Sequence, residues 1–191
     1  INMGAGREDE ARRILSNSFL ILCVCAVVLT AAVFPLQRPM LMFFGASETT
    51  YPYAEEYFSI YLCGTAFNLL SLGMNQFIIS QGFAKKGMFS VVLGAALNIV
   101  LDPLFIFVFD MGVAGAAVAT VLSQLASCVY VLCVLFGRTV PVRIGFGRYS
   151  LRLVGRILVT GISPFLIIFV DSIMIISMNA VLQSCGGPEL G

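Results

Sequence analysis

Five stretches of the chain run apolar for the length of a bilayer, and the short segments between them hold nearly all of the charge. Residues 14–34 are 21 positions without a charged side chain, enough for a helix rising about 1.5 Å per residue to cross a hydrocarbon core about 30 Å thick. The pattern predicts spans at 14–34, 57–79, 88–109, 113–136 and 157–182, here A to E, and so an all-α transmembrane fold. After span A, Pro35, Pro39 and Gly45 predict that the helix stops, with residues 35–53 at the membrane interface and Met42, Phe43 and Phe44 against acyl chains. Glu55 and Glu56 suit the N-terminus of span B. Lys85 and Lys86 mark the turn between B and C, and Asp110, Met111 and Gly112 a tight turn between C and D.

Composition agrees with this frame. Hydrophobic residues make up 59% of the chain and charged ones 11%, with a mean hydropathy of +0.99, more apolar side chain than a soluble domain can cover. A net charge of +1 excludes a general attraction to nucleic acid. Six cysteines stand in a chain without histidine, and five of them fall in apolar windows, so they read as small hydrophobes rather than metal ligands. The chain opens at Ile1 on a polar segment with no signal pattern and stops just after span E, which reads as a piece of something longer.

The placement of charge says more than its total. If the spans cross in turn, ten of the eleven Lys and Arg residues fall on one side and only Arg38 on the other. The positive-inside rule then makes residues 1–13, 80–87 and 137–156 cytoplasmic. The last of these segments carries Arg138, Arg143, Arg148, Arg152 and Arg156, and its second half has the spacing of a short amphipathic helix. Pinned between spans, it is expected to touch lipid headgroups rather than nucleic acid.

Polar residues inside the spans are the candidate chemistry. Span B holds Asn68, Ser71, Asn75 and Gln76, which either line a cavity or bond between helices. Span C holds Asp102, an acid costing about 2.5 to 3.5 kcal/mol at such depth on insertion scales, hence unsuited to face lipid. Asn98 lies four residues before it, on the same helical face. Thr120, in span D, sits at matched depth, about 10 Å below the same membrane surface. The small residues at 112, 115, 116 and 119 predict close packing of D, which would bring Thr120 against Asn98 and Asp102. Asp171 is central in span E, as either a bundle contact or a functional acid, and Asn179 stands nearer the outer end as a structural amide.

Two motifs carry a resemblance. ALNIVLDPLFIF followed by GVAGAAVATVLSQ resembles the fifth and sixth helices of the multidrug and toxic compound extrusion (MATE) transporters, and GAGREDEARR resembles their cytoplasmic loop between helices two and three. The resemblance implies a twelve-helix, two-lobed transporter fold of which this chain supplies helices three to seven. Residues 1–136 would then belong to the N-terminal lobe, 137–156 to the cytoplasmic link between lobes, and 157–191 to the start of the C-terminal lobe. It also implies a cation site at Asn98, Asp102 and Thr120, ligating Na⁺ if coupling is to sodium, with an acid of the first helix that lies outside this chain.

The resemblance further implies an exporter, not an enzyme, that exchanges small organic cations for Na⁺ or H⁺ by alternating access, with no other cofactor. Asn68, Asn75 and Asp171 are its substrate-cavity candidates, and its partners are membrane lipids and the remaining helices of the transporter. A prokaryotic plasma membrane is the expected location. Two other readings stay open: a flippase of lipid-linked saccharides from the same superfamily, for which more basic residues inside the spans are expected, and a helical membrane scaffold in which Asp102 and Asp171 pair with partner helices.

Overall fold

The computed structural model describes residues 7–43, 48–145, 147 and 149–186, with side chains at all of these except 43, 179, 180 and 182–186. The expectations for residues 1–6, Phe43, Phe44, Arg148, Asn179, Cys185 and the last five residues fall outside what is described. The elements in chain order are α1 (Glu8–Val33), a 3₁₀ turn (Phe34–Leu36), α2 (Gln37–Phe43), α3 (Tyr51–Ser80), α4 (Ala84–Pro103), a π-helical turn (Leu104–Val108), α5 (Gly112–Phe136) and α6 (Leu151–Gly186). Among the described residues five helical stretches are long and apolar enough to cross a membrane, beginning at Glu8, Tyr51, Ala84, Gly112 and Leu151.

Three boundaries differ from the sequence reading. Pro35 does not stop the first helix. The chain tightens into the 3₁₀ turn, where Pro35 takes an initial position, and resumes as α2, so the apolar stretch continues from Glu8 to Met42. Pro35 removes the N–H that would bond the carbonyl of Ala31, and tightening to 3₁₀ takes up that loss while the residues on either side stay helical, so the helix is reshaped and not ended. The third helix begins at Tyr51 rather than 57, with Pro52 in its first turn. Gln37 ties α2 to it, donating to Glu55 Oε1 at 3.3 Å and accepting from Ser59 Oγ at 3.2 Å. Finally, α6 starts at Leu151, so Arg152 and Arg156 lie in its first turns rather than in a separate short helix.

Residues up to Tyr149 form one compact unit and those from Ser150 a second, which is α6. Within the first unit α5 is the central element, packed on both α3 and α4. Its buried face is small, with Ala114, Gly115, Ala117, Ala119 and Ser123. A Cβ added at Gly115 would stand 2.8 Å from the backbone carbon and oxygen of Phe105, so the glycine is what lets α5 lie against the π-helical turn. Lipid supplies little hydrophobic drive for helix association, and such close contact supplies it instead.

A second packing feature lies in the arginine-bearing link. Val140, Val142 and Ile144 alternate into the bundle and join Leu15, Met74, Ile78, Val131 and Leu135 in one buried apolar cluster. The backbone of this strap is held from several helices: Val142 N–H donates to Gln81 Oε1 at 3.0 Å, Gly145 N–H to Ser16 Oγ at 3.0 Å, and Lys86 Nζ to Thr139 O at 3.0 Å. Half of a segment read as lipid-facing surface is therefore core. The period-two spacing of its apolar residues turns them to one side of an extended chain.

Glycine substitutions separate backbone contact from side-chain contact. At Gly73 an added Cβ meets Leu22 Cδ1 at 2.5 Å, the far end of a flexible side chain. Gly73→Ala is expected to be near neutral, since helix propensity returns roughly 0.5–1 kcal/mol. Gly115→Ala is expected to be destabilising by about 1–3 kcal/mol, because backbone cannot rotate aside. Thermal unfolding of the two variants in the same detergent checks the order, and equal midpoints would remove Gly115 from its packing role.

Candidate functional site

The local sequence around Asp102 explains its geometry. Asn98 and Asp102 are one turn apart on α4, and Asn98 Nδ2 donates to Asp102 Oδ1 at 3.1 Å. The same Nδ2 lies 3.4 Å from Thr120 Oγ1, across the interface with α5. Thr120 donates its own proton to Ala116 O at 2.9 Å, which leaves a hydroxyl lone pair to accept from Asn98. The three residues expected to converge do so, and all three are half-buried.

Directly after the acid, Pro103 removes the N–H that would bond the carbonyl of Ile99. The helix then widens: Phe109 N–H bonds Leu104 O at 3.0 Å, and Met111 N–H bonds Phe105 O at 3.1 Å. Asp110, at φ 53°, and Gly112, at φ 55°, reverse the chain into α5. Aspartate is among the few residues that enter this left-handed region readily. The turn thus starts α5 beside the end of α4 and brings Thr120 level with Asp102.

The electrostatics of the site are simple. Among the described residues Asp102 has no cationic partner, and its Oδ2 accepts no hydrogen bond. No group of three or more His, Cys, Asp or Glu side chains suited to a metal exists among those residues. The donor set is one carboxylate, one hydroxyl and one amide, which fits a single monovalent charge. A proton is accommodated at Oδ2 with no rearrangement. Sodium needs oxygen ligands, so Asn98, now turned to donate, has to rotate its amide and present Oδ1.

Asn98 and Thr120 also stand at one end of a cavity of about 250 Å³ between α3, α4 and α5. Asn68 and Asn75 line it from α3. Asn75 both lines the cavity and ties two helices, donating through Nδ2 to Gly87 O at 3.2 Å. Gln76 differs from expectation, as it is exposed and off the cavity, being rotated about 100° from Asn75 on the helix. Asp171 belongs to α6, the second unit.

Sequence reasoning missed the other polar wall. Ser123, Gln124 and Ser127 of α5 and Ser90 of α4 line the same cavity. The signal was present, since 120, 123, 124 and 127 follow helical spacing and so form one polar stripe on an otherwise apolar helix. The five described cysteines are free thiols, of which Cys128 is buried as expected of a small hydrophobe while Cys25, Cys63 and Cys133 are exposed.

Comparison with known proteins gives a family. Residues 2–104 match the family described as MatE. The chain is 36% identical over 136 residues to Protein DETOXIFICATION 42 of Arabidopsis thaliana, covering 68% of this chain and 26% of that protein. It is 24% identical over 185 residues to Multidrug export protein MepA of Staphylococcus aureus, covering 95% of this chain and 41% of that protein. The chain therefore spans less than half the length of these relatives.

Among solved structures, a MATE protein crystallised in a bent conformation superposes with a TM-score of 0.90 at 29% identity, over 98% of this chain and 42% of that one. A MOP superfamily transporter from Pyrococcus furiosus gives 0.89 at 28% identity, over 98% and 42%. The fold is thus an all-α membrane fold that makes up part of a twelve-helix, two-lobed architecture. With more than half of its residues matched and its helices superposed almost throughout, the chain belongs to the MatE family of membrane transport proteins, which are not enzymes.

Proposed function

We propose that this chain is helices three to seven of a secondary active transporter that exports small organic cations in exchange for Na⁺ or H⁺. The observation that carries this reading is Asp102, a carboxylate inside a membrane span that among the described residues accepts from the neutral Asn98 amide, itself 3.4 Å from Thr120 Oγ1, and has no cationic partner. Such an acid lowers its cost in the membrane by taking up a proton or a monovalent ion. The named relative MepA is a multidrug export protein, which supports the export reading.

In the proposed cycle the site has two states. With the carboxylate charged, the Asn98 amide donates to it and the surrounding helices carry an unbalanced charge. Occupancy by the ion neutralises Asp102 and lowers the cost of closing the helices around it, so the ion favours one conformation and a substrate the other. The π-helical turn after Pro103 supplies a place where α4 changes pitch without losing all its backbone bonds. Residues 1–136 act as part of the N-terminal lobe, 137–156 as the link and 157–191 as the start of the second lobe. Asn68, Asn75 and Asp171 serve substrate binding, and membrane lipids and the remaining helices are the partners.

The central test uses the complete polypeptide in proteoliposomes with an imposed Na⁺ or proton gradient. Asp102→Asn is expected to insert and purify as a monodisperse protein yet lose ion-driven uphill transport. Asn98→Ala and Thr120→Ala are expected to weaken coupling less, since each removes a neutral ligand and leaves the charge. A folded Asp102→Asn protein with unchanged ion dependence would overturn the role.

Topology has its own test. We place residues 1–13, 80–87 and 137–156 on the cytoplasmic side of a prokaryotic plasma membrane, on the basic-residue bias. Cysteines substituted at Lys85 and Arg138 are expected to label from the same, cytoplasmic side with an impermeant thiol reagent. Labelling from opposite sides would defeat the arrangement.

For Asp171 the expectation concerns charge. Asp171→Asn removes it at nearly constant volume and is expected to weaken binding of a cationic substrate several-fold more than that of a neutral one. Equal losses for both would mark Asp171 as structural.

A further inference from the structure

The strap over 139–145 turns one face into the bundle and the other outward. Val140, Val142 and Ile144 are buried, while Thr139 and Pro141 are exposed and Arg143 and Gly145 half-buried. Cations stand along the outer face. Lys86 Nζ reaches Thr139 O at one end, and at the other a Cβ added to Gly145 would stand 3.5 Å from Arg12 Cδ. Arg143, between them, bonds the strap itself through Nε to Val140 O at 3.3 Å. Even a fully extended path would put Arg143 no more than about 13 Å along the backbone from Thr139 and about 7 Å from Gly145.

None of the three has a carboxylate partner, since the ion pair among the described residues is Arg7 with Glu10 at 3.6 Å. Segments 80–87 and 137–145 contain no acid. A row of unpaired cations calls for anions from outside the chain, and its position says of what kind. The strap starts directly after α5, whose 25 residues rise about 37 Å, a little more than a hydrocarbon core of about 30 Å, so it lies at headgroup level. The outer surface then turns apolar within one helical turn. Lys85 is followed on the same side of α4 by Met88 and Phe89, both exposed, and the Phe89 ring lies 5.1 Å from that of Tyr130 on α5. Cations beside an exposed apolar surface match a molecule with an anionic head and hydrocarbon tails. A soluble phosphate compound would leave the apolar part unused.

We propose that the outer face of the strap is a docking surface for anionic phospholipid, with headgroup phosphates on Lys86, Arg143 and Arg12 and acyl chains along Met88 and Phe89. Guanidinium meets phosphate through paired hydrogen bonds, and Arg143 keeps both Nη groups for this because Nε alone is spent on Val140 O. The bound lipid also fastens the strap. Lys86 belongs to α4, Arg12 to α1 and Arg143 to the strap, so phosphates shared among them join the three pieces and offset the repulsion of like charges. The inference rests on this end of the bundle lying at a membrane surface, and not on Asp102 or on which side of the membrane that surface faces.

The test is lipid-dependent stability of the purified complete polypeptide in detergent micelles, where phospholipid reaches both ends of the protein alike. Dioleoyl phosphatidylglycerol is expected to raise the thermal unfolding midpoint at least about 3 °C more than dioleoyl phosphatidylcholine at the same mole fraction. Native mass spectrometry is expected to show at least about threefold more bound phosphatidylglycerol than phosphatidylcholine. Lys86→Gln combined with Arg143→Gln is expected to remove most of both differences. Arg152→Gln combined with Arg156→Gln takes the same charge from α6 and is expected to keep them. Arg143→Lys retains the charge and is expected to retain most of the midpoint difference. Arg12→Gln, at an exposed position, carries the same comparison if the first double variant does not purify.

Equal shifts with the two lipids overturn the proposal, as do equal losses in the two double variants. A shift with glycerol 3-phosphate as large as that with phosphatidylglycerol also overturns it, because the ligand is then a soluble anion. Each of these results leaves the cysteine labelling and the transport assay on Asp102→Asn unaffected, so the readings fail separately.

Discussion

Close approach of backbones along α5 is the constraint from which the rest of the first unit follows. Three glycines mark the contact at three levels. Gly115 lies on the Phe105 backbone, a Cβ at Gly64 of α3 would stand 2.5 Å from Val121, and one at Gly94 of α4 would run into Ser127 Oγ. Helices meeting this closely gain dispersion energy over their whole length, which is the main attraction available among apolar surfaces. The same closeness lets short polar side chains reach across. Thr120 meets Asn98, and Ser127 meets the carbonyl of Ser90, because at those levels small side chains and Gly94 let α4 and α5 approach. Packing and site are thus built from one set of small residues, and a change that widens the interface acts on both.

Asp102 occupies the last regular turn before the π-helical segment, and its position there has a physical reason. In the proposed role the Asp102 carboxylate exchanges an ion, and a helix that is uniformly hydrogen-bonded resists any local change of pitch. Pro103 already forgoes one backbone bond, and the wider bonds from Phe109 and Met111 show the segment accommodating that loss. The cost of altering the backbone next to the acid is therefore lower than in the middle of α5, whose only irregularities are at its ends. Such π-turns inside helices recur at functional positions.

Much of this was legible in the sequence, and the failures have identifiable causes. Asn98, Asp102 and Thr120 could be grouped because helical period and distance from a common turn fix both face and depth. The continuation of the helix past Pro35 was not legible, since a proline that reshapes a helix and one that ends it look alike without the tertiary contacts of Gln37. The strap over 139–145 was hidden by Arg143 and the arginines that flank it. Charge dominated the reading, although Val140, Val142 and Ile144 alternate as a half-buried extended segment should. The Ser123, Gln124 and Ser127 stripe was overlooked because attention to small residues on α5 favoured packing over hydrogen bonding. Asp171 stays a reading of composition, since α6 forms a unit of its own.

The strap and the cavity contrast two fates of polar groups buried by the same helices. At the lysine end, side-chain oxygens accept from backbone: Gln81 Oε1 takes the N–H of Val142 and Ser16 Oγ that of Gly145, so an irregular segment can lie against the bundle with those donors satisfied. The accounting is not perfect even there, because Gln81 Nε2 is buried with no partner among the described residues. Deeper in, Asn75 Oδ1 and Gln124 Oε1 have no such donors among the described residues, since the backbone N–H groups of the helices are used in their own ladders. What separates the two groups of residues is therefore the presence of a donor inside the fold. Where the described residues supply one, the polar residue is explained by architecture, whereas Asn75 Oδ1 and Gln124 Oε1 are buried without one among them.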